Sequence, residues 1–244
     1  MKKYLVIPTY NESKNLEQLI DRISLLHIPD LTILVVDDNS PDGTGDVAED
    51  LKARHGNIVV MHREKKEGLG RAYVAGFKRA LWDGAELVLQ MDADFSHDPK
   101  YLPKILEEVA NNDVVLGSRY VRGGGTKNWG IIRRIISRCG NVYARIVLDI
   151  PIRDLTGGFK CYRGEVLQAI DLDTLGAVGY GFQIETTYRA FLLGYKIFET
   201  PIIFVEREEG ESKFDLGIIY ESFWKVLLLR LKKFKRGAEK NKKY

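Results

Sequence analysis

The chain has 244 residues, 45% hydrophobic and 29% charged, with a formal net charge of +3, a composition that can bury a substantial core and excludes intrinsic disorder. The positive excess collects in the last thirteen residues, KKFKRGAEKNKKY, where seven Lys or Arg stand against one Glu; no stacking aromatics are interleaved with these cations, which argues against a nucleic-acid protein. Cys139 and Cys161 are the only cysteines, too few for a disulfide framework or a zinc site, so both read as reduced packing residues in a cytosolic setting.

The four apolar residues before Pro8 are too few for the core of a signal peptide. No stretch approaches the roughly eighteen apolar residues of a membrane span. In chain order, Tyr4 to Ile7 reads as a strand, and Leu16, Leu19, Ile20, Ile23 and Leu26 then recur at helical spacing. Strands follow at Ile33 to Val36 and Ile58 to Met61. Leu69, Ala72, Tyr73, Phe77, Ala80 and Leu81 mark a second helix, Leu87 to Met91 another strand, Leu102, Ile105, Leu106 and Val109 a third helix, and Val114 to Leu116 a fifth strand. This alternation predicts an α/β fold, a mostly parallel sheet flanked by helices. Ligands of such sheets bind beyond the carboxyl ends of the strands. PTYNE, DDNSPDGT, DADFSHD and GSRY all follow strand ends, so four polar segments are expected on one rim.

The second half is less regular. Residues 123 to 150 begin as a glycine-rich loop and continue as a basic amphipathic helix. LTGGFKCYR reads as a turn, the segment from GYGFQIE to FVER as a helix and a strand, and GESKF as a loop. LGIIYESFWKVLLLRLKKFKR closes the chain as an amphipathic helix that could lie on a membrane surface. The domain reading is one catalytic unit over residues 1–214 and a membrane-associating helix with a basic tail over 215–244.

Residues two apart in a strand point the same way, roughly 6.6 Å apart, so Asp92 and Asp94 are expected to face one space. Such a pair suits Mg²⁺ or Mn²⁺, which takes hard oxygen ligands and bridges carboxylates to phosphates; local turn or cap structure accounts for the pair as well. Asp98, just before Pro99, reads as a helix N-cap. Asp37 and Asp38 sit where a carboxylate can accept hydrogen bonds from a nucleotide's base or ribose. The following NSPDG also makes a turn.

Eight segments together carry a resemblance: PTYNE (8–12), DDNSPDGT (37–44), GLGRAYVAGF (68–77), DADFSHDP (92–99), GSRY (117–120), IISRCGN (135–141), DLTGGFKCYR (154–163) and GESK (210–213). In order and spacing, over residues 4 to 213, they resemble the inverting family 2 glycosyltransferases of GT-A (Rossmann-like) fold, within them the polyprenyl- or dolichyl-phosphate mannose synthases. The resemblance implies GDP-mannose as donor, Mg²⁺ or Mn²⁺ as cofactor, a polyprenyl phosphate as acceptor, and peripheral association with the cytosolic membrane face. Carried over by position, Pro8, Tyr10, Glu12, Asp37, Asp38, Asp92, Ala93, Arg207 and Lys213 would hold the donor. Asp92, Asp94 and Ser96 would meet the metal, Ser96 standing where relatives often carry Gln. Arg119, Arg133 and Ser137 would meet the acceptor phosphate, and Asp94, Arg119 and Arg133 would be catalytic. Some family members work with a separate anchoring chain, so a membrane-anchoring partner protein belongs to the expectation. Two alternatives stand: a UDP-glucose-dependent polyprenyl-phosphate glucosyltransferase, and a non-catalytic sugar-nucleotide-binding subunit.

The chemistry agrees with these assignments. Negative charge builds on the departing nucleoside diphosphate, and cations lower that barrier. Arg207 and Lys213 are candidates, on a loop where Gly210 permits closure. A phosphate acceptor, with a second pKa near 6, needs no general base, but it does need arginine forks. Arg134 and Arg138 read as solvated surface charges. Asp154, Thr156, Gln183 and Glu185 fall on the acceptor side by resemblance. Asp154 equally suits ordering the LTGG turn, and Glu185 suits the donor sugar's hydroxyls, an arginine, or an ordinary buried helix position. Ile131, Ile132, Ile135 and Ile136 beside arginines, and Phe223, Trp224, Leu227, Leu228 and Leu231 before lysines, fit a bilayer interface; two packed core helices would give the same pattern.

Overall fold

The computed structural model describes residues 1–176, 179–206 and 216–232. Arg207, Gly210, Lys213 and the tail beyond Lys232 lie outside the described residues. In chain order the elements are β1 (Lys3–Thr9), α1 (Ser13–Ser24), β2 (Leu31–Asp37), α2 (Thr44–Arg54), β3 (Ile58–His62), α3 (Leu69–Trp82), β4 (Leu87–Gln90), α4 (Leu102–Glu108), β5 (Val114–Ser118), β6 (Gly125–Lys127), α5 (Ile131–Leu148), β7 (Lys160–Arg163), α6 (Gly164–Ala169), α7 (Gly179–Leu192), β8 (Ile197–Pro201), β9 (Ile203–Val205) and α8 (Leu216–Leu231).

Seven strands form one sheet in the order β3-β2-β1-β4-β7-β5-β8, and β6 pairs with β9 beside it. β1 runs parallel to both β2 and β4, with Lys3 opposite Leu31 on one side and Leu87 on the other. Only β7 runs against its neighbours, Leu89 facing Cys161 and Val115 facing the same residue from the other side. The α/β expectation and all five strands read from the first half are therefore borne out.

Period-two alternation divides the core between the two faces. Tyr4 and Val6 join Leu34, Val36, Phe77, Ala144, Tyr162, Phe182, Val226 and Leu229 on the face covered by α3, α5, α7 and α8. Leu5 and Ile7 join Leu16, Leu19, Ile33, Leu51, Leu89 and Ile105 under α1, α2 and α4. A Cβ on Gly76 would stand 2.4 Å from Val6 Cγ1, so the glycine is what lets α3 lie close against β1.

Several readings need correction. LTGGFKCYR is not simply a turn, since its second half is the antiparallel strand β7 at the centre of the sheet. Its glycine pair and the flanking Lys160 and Arg163 hid a strand whose buried positions are only three residues. β4 stops at Gln90, so the strand alternation invoked for Asp92 and Asp94 does not apply; they sit in a bend that Phe95 turns with φ of 58°. Cys161 is buried as expected, whereas Cys139 is exposed on α5. α8 is not simply amphipathic: Val226 and Leu229 are buried while Phe223, Trp224, Leu228 and Leu231 are exposed.

Candidate active site

Hydrogen bonds tie the predicted strand ends into one rim. The Asp38 amide donates to Thr9 O at 3.0 Å, Asn11 N to Ser40 Oγ at 3.1 Å, and Glu12 N to Thr44 Oγ1 at 2.9 Å. The loops after β1 and β2 thus hold each other. Asp37 accepts from Thr9 Oγ1 (3.2 Å), Ser40 Oγ (2.6 Å) and Ser40 N (3.1 Å). Asp38 accepts from Arg63 on one oxygen and from Glu67 N and Gly68 N, at 3.1 and 3.0 Å, on the other. Both carboxylates are buried and order the loops around them. Pro8 is buried in β1, Glu12 accepts from Asn15 Nδ2 at 2.8 Å, and Tyr10 lies under Lys66, whose Nζ is 3.5 Å from the ring centre.

The DAD bend is braced from three sides. Tyr73, inside α3 and stacked on Phe182, donates to Asp92 Oδ1 at 2.7 Å. Burial, and then the charge of Asp92, keep its phenol well above the ordinary range, so it stays a donor. His97 Nδ1 accepts the Asp92 amide at 3.4 Å. Burial lowers the His97 pKa, against the opposing pull of Asp92 and Asp94; the ring is neutral at Nδ1, and its 3.8 Å approach to Asp92 Oδ2 is not an ion pair. Asp94 Oδ1 accepts Ser96 N at 3.1 Å and Ser96 Oγ at 2.5 Å, so the hydroxyl proton of Ser96 is committed to Asp94. Ala93 is buried between the two acids. A Cβ on Gly158 would lie 3.2 Å from Asp92 Oδ2; glycine there lets the start of β7 reach the carboxylate.

No group of three or more His, Cys, Asp or Glu side chains forms a metal cage among the described residues. The two carboxylates and the Ser96 hydroxyl are oxygen donors of the kind that would hold a hard divalent ion.

On the opposite bank, Asp154 takes Arg119 through the backbone N (2.9 Å), Nε (2.7 Å) and Nη2 (2.6 Å), and Nη2 also reaches Thr156 Oγ1 at 2.7 Å. Burial alone would raise the Asp154 carboxyl, but the Arg119 charge and hydrogen bonds hold it below the usual range. Asn141 of α5 secures the turn, accepting from Leu155 N at 2.8 Å and donating to Thr156 Oγ1 at 3.0 Å. Arg119 and Arg133 lie 5.5 and 4.3 Å from the Trp129 ring centre, so both meet at one indole. Arg133 is paired with Glu206 at 2.5 Å. Ser137 accepts from Tyr120 OH at 2.7 Å.

Aromatic contacts join the two banks. His97 is 5.2 Å from both Phe159 and Phe204, and Phe204 is 5.4 Å from Trp129. Ring contacts thus link the bend that carries Asp92, Asp94 and Ser96 to Arg119 and Arg133, and Ser137 joins them through Tyr120, whose ring is 5.3 Å from Arg119. Glu185 is elsewhere engaged: it pairs with Arg189 at 2.5 Å and accepts Gly176 N at 3.0 Å, which selects the arginine among the roles open to it. Gln183 accepts from Gln90 Nε2 at 2.8 Å. Sequence reasoning did not single out Tyr73, His97, Arg63, Trp129 or Glu206 as site residues. Arg63, just past a strand end on the same rim, carried a positional signal; the others looked like packing or surface residues.

Residues 4–171 match the model of glycosyl transferase family 2. The undecaprenyl-phosphate mannosyltransferase of Micrococcus luteus is 47% identical over 222 residues, 91% of each chain. The polyprenol monophosphomannose synthase of Mycolicibacterium smegmatis is 46% identical over 224 residues, 91% of this chain and 84% of that one. Among solved structures, a mannosyltransferase from Pyrobaculum calidifontis in complex with GDP-Man and Mn²⁺ superposes with a TM-score of 0.67 at 18% identity, over 96% of this chain and 65% of that one. Glucosyl-3-phosphoglycerate synthase from Mycobacterium tuberculosis gives 0.68 at 19% identity, over 94% and 79%. The structures agree in fold, the GT-A arrangement, and the sequence relatives agree along nearly the whole chain. With the acidic bend, the rim and the family model coinciding in the first two thirds of the sequence, this chain belongs to glycosyltransferase family 2.

Proposed function

We propose that this chain transfers mannose from GDP-mannose to a polyprenyl phosphate, with inversion at the anomeric carbon, at the cytosolic face of a membrane. One observation carries the reading: Arg119 and Arg133 meet at Trp129 across a shared aromatic core from the Asp92–Asp94 bend. This supports a reading in which guanidinium groups receive an anionic acceptor and the carboxylates suit a metal-bound diphosphate. The relatives' names support mannose and a polyprenyl phosphate; the guanine nucleotide rests on the motif resemblance.

In this reading Asp92 and Asp94 hold Mg²⁺ or Mn²⁺, with Ser96 at hand. Bound there, the ion supplies positive charge against the negative charge that builds on the leaving diphosphate. Tyr73 fixes the direction of Asp92, and Ser96 that of Asp94. Pro8, Tyr10, Glu12, Asp37, Asp38 and Ala93 line the nucleoside side, where Asp37 and Asp38 act by fixing the loops. Arg207 and Lys213 add cations to the diphosphate. Arg119, Arg133 and Ser137 receive the acceptor phosphate, which attacks as an anion and surrenders no proton to a base. Exposed apolar side chains on α5 and α8 give the lipid chain a surface, so the reading requires no anchoring subunit.

The test is transfer of label from GDP-mannose and from UDP-glucose to a short polyprenyl phosphate, with and without a chelator. Label reaching lipid only from GDP-mannose, and only without chelator, is expected; label only from UDP-glucose would replace the donor, and none from either would leave a binding subunit. Asp94→Asn keeps an oxygen for Ser96, so its thermal unfolding should match the parent while turnover falls on the order of a thousandfold.

A further inference from the structure

Beside the cleft, and outside it, lies a cavity of about 190 Å³ lined by Tyr120, Arg138, Asn141, Val142, Arg145 and Arg153. None of Arg119, Arg133, Asp154 or Thr156 borders it. Arg138 and Arg145 stand seven residues apart on α5, with Val142 between them, and so share one edge of the helix. Arg153, in the segment after α5, faces them. All three arginines are exposed, and among the described residues none of their guanidinium groups has an ion pair or hydrogen bond. No carboxylate lines the cavity. Three guanidinium groups that converge on one hollow with no carboxylate in its lining offer planar forks that match the oxygens of an anion. The volume falls below the roughly 300–1,000 Å³ of pockets that enclose drug-sized ligands, which suits a phosphate group and little more.

The surroundings identify the source of the phosphate. The outward face of α5 exposes Ile131, Ile132, Ile135, Val142 and Ile146, at 48–73%, with Cys139 among them. The arginine cavity runs along one edge of this face. α8 runs along the other, its Phe223 stacked on Tyr143 at 4.4 Å, and it exposes Phe223, Trp224, Leu228 and Leu231. Two adjoining helices therefore present a continuous apolar surface rimmed by cations, which water does not favour and the interface of an anionic bilayer does.

We propose that this cavity binds the phosphate of an anionic phospholipid, separately from the acceptor phosphate, and so seats the apolar face of α5 and α8 on the membrane. Arg138, Arg145 and Arg153 grip the phosphate oxygens, and Asn141 and the Tyr120 edge close the floor. The proposal needs neither mannose transfer nor a bound metal, so it can fail or hold independently of the function proposed above.

The test uses the full chain without donor, acceptor or metal, co-sedimented with vesicles of phosphatidylcholine alone or mixed with phosphatidylglycerol. Binding to the mixed vesicles is expected to exceed binding to the neutral ones. In the triple variant R138Q/R145Q/R153Q it should weaken about a hundredfold, from roughly fivefold for each cation of ~1 kcal/mol removed near an anionic surface. The variant R138K/R145K/R153K keeps the charge and loses the forks, and should weaken about tenfold. These side chains are exposed, so both variants should melt with the parent. Parent-like binding by the glutamine variant overturns the proposal, and parent-like binding by the lysine variant reduces it to diffuse attraction and overturns the pocket. Inorganic phosphate titrated without vesicles provides the last arm: saturable binding lost in the glutamine variant, with vesicle binding unchanged, would make this a free-phosphate site and overturn the lipid assignment.

Discussion

Lys160→Met gives the sharpest test of the chemistry at the centre of the sheet. Lys160 lies on β7 with 0% exposure, and its Nζ donates to Gln183 O at 2.7 Å and Thr187 Oγ1 at 3.0 Å. Burial lowers its pKa to about 7, against the opposing charge of Asp154, whereas in the unfolded chain the amine titrates near 10.4. Between these values the unfolded chain binds a proton that the folded protein does not, so stability rises with pH from 7 toward about 10.4 and levels off beyond. Below pH 7 both states are protonated and the full cost of the buried charge is present. The linkage relation puts the gain from pH 7 to pH 9 at about 2 kcal/mol. Methionine has similar length and no proton to lose. Urea unfolding of parent and variant at pH 7, 8 and 9 should show this slope in the parent and its absence in the variant; other groups titrating in the window are common to both. Parallel pH dependences would mean that Lys160 keeps its proton in the fold, and the reasoning would be wrong.

Asp154→Ala should destabilise the fold by about 3–5 kcal/mol, because Arg119 would be left buried without its carboxylate; the denaturant midpoint measures it. Asp154→Asn keeps the size and one acceptor and should lose less, so the ranking of the two variants separates charge from shape. Tyr73→Phe removes the hydroxyl that fixes Asp92 Oδ1. If Asp92 is a metal ligand, the Mn²⁺ concentration giving half-maximal transfer should rise about 10–100-fold, with the melting temperature nearly unchanged.

The parallel strands were legible because burial on both faces writes them as continuous apolar runs, as in Leu5, Val6 and Ile7. β7 was not. Its pairing joins residues far apart in the chain, Leu89 with Cys161, and its fully buried Lys160 reads locally as a solvated turn residue. α2 also went unread, since only Thr44, Ala48 and Leu51 of its residues are buried and they make a thin stripe. At the site, the acids stood out because two pairs of carboxylates, Asp37 with Asp38 and Asp92 with Asp94, each lie at the carboxyl end of an apolar strand. Their braces did not: Tyr73 fits the apolar face of α3 as well as Phe77 does, and nothing in its spacing reveals a hydroxyl turned toward Asp92. Glu206 became meaningful only once Arg133 lay against it.

The two arginines of the cleft differ in how firmly they are held, and this difference bears on the proposed order of events. An arginine bound to a carboxylate presents little net charge to an approaching anion. The Arg119–Asp154 pair has side-chain exposures of 6% and 0%, and separating it would strand a buried charge at about 3–5 kcal/mol. Arg119 is therefore a fixed post whose orientation Asp154, Thr156 and Asn141 set in advance. The Arg133–Glu206 pair, at 26% and 32%, is closer to the surface pairs worth about 0–1 kcal/mol, and either partner can turn to solvent with little loss. An incoming phosphate can displace Glu206 from Arg133 but not Asp154 from Arg119. In the proposed reaction, then, Arg119 supplies geometry and Arg133 the charge that becomes available on exchange, both guanidinium groups resting on the one Trp129 ring.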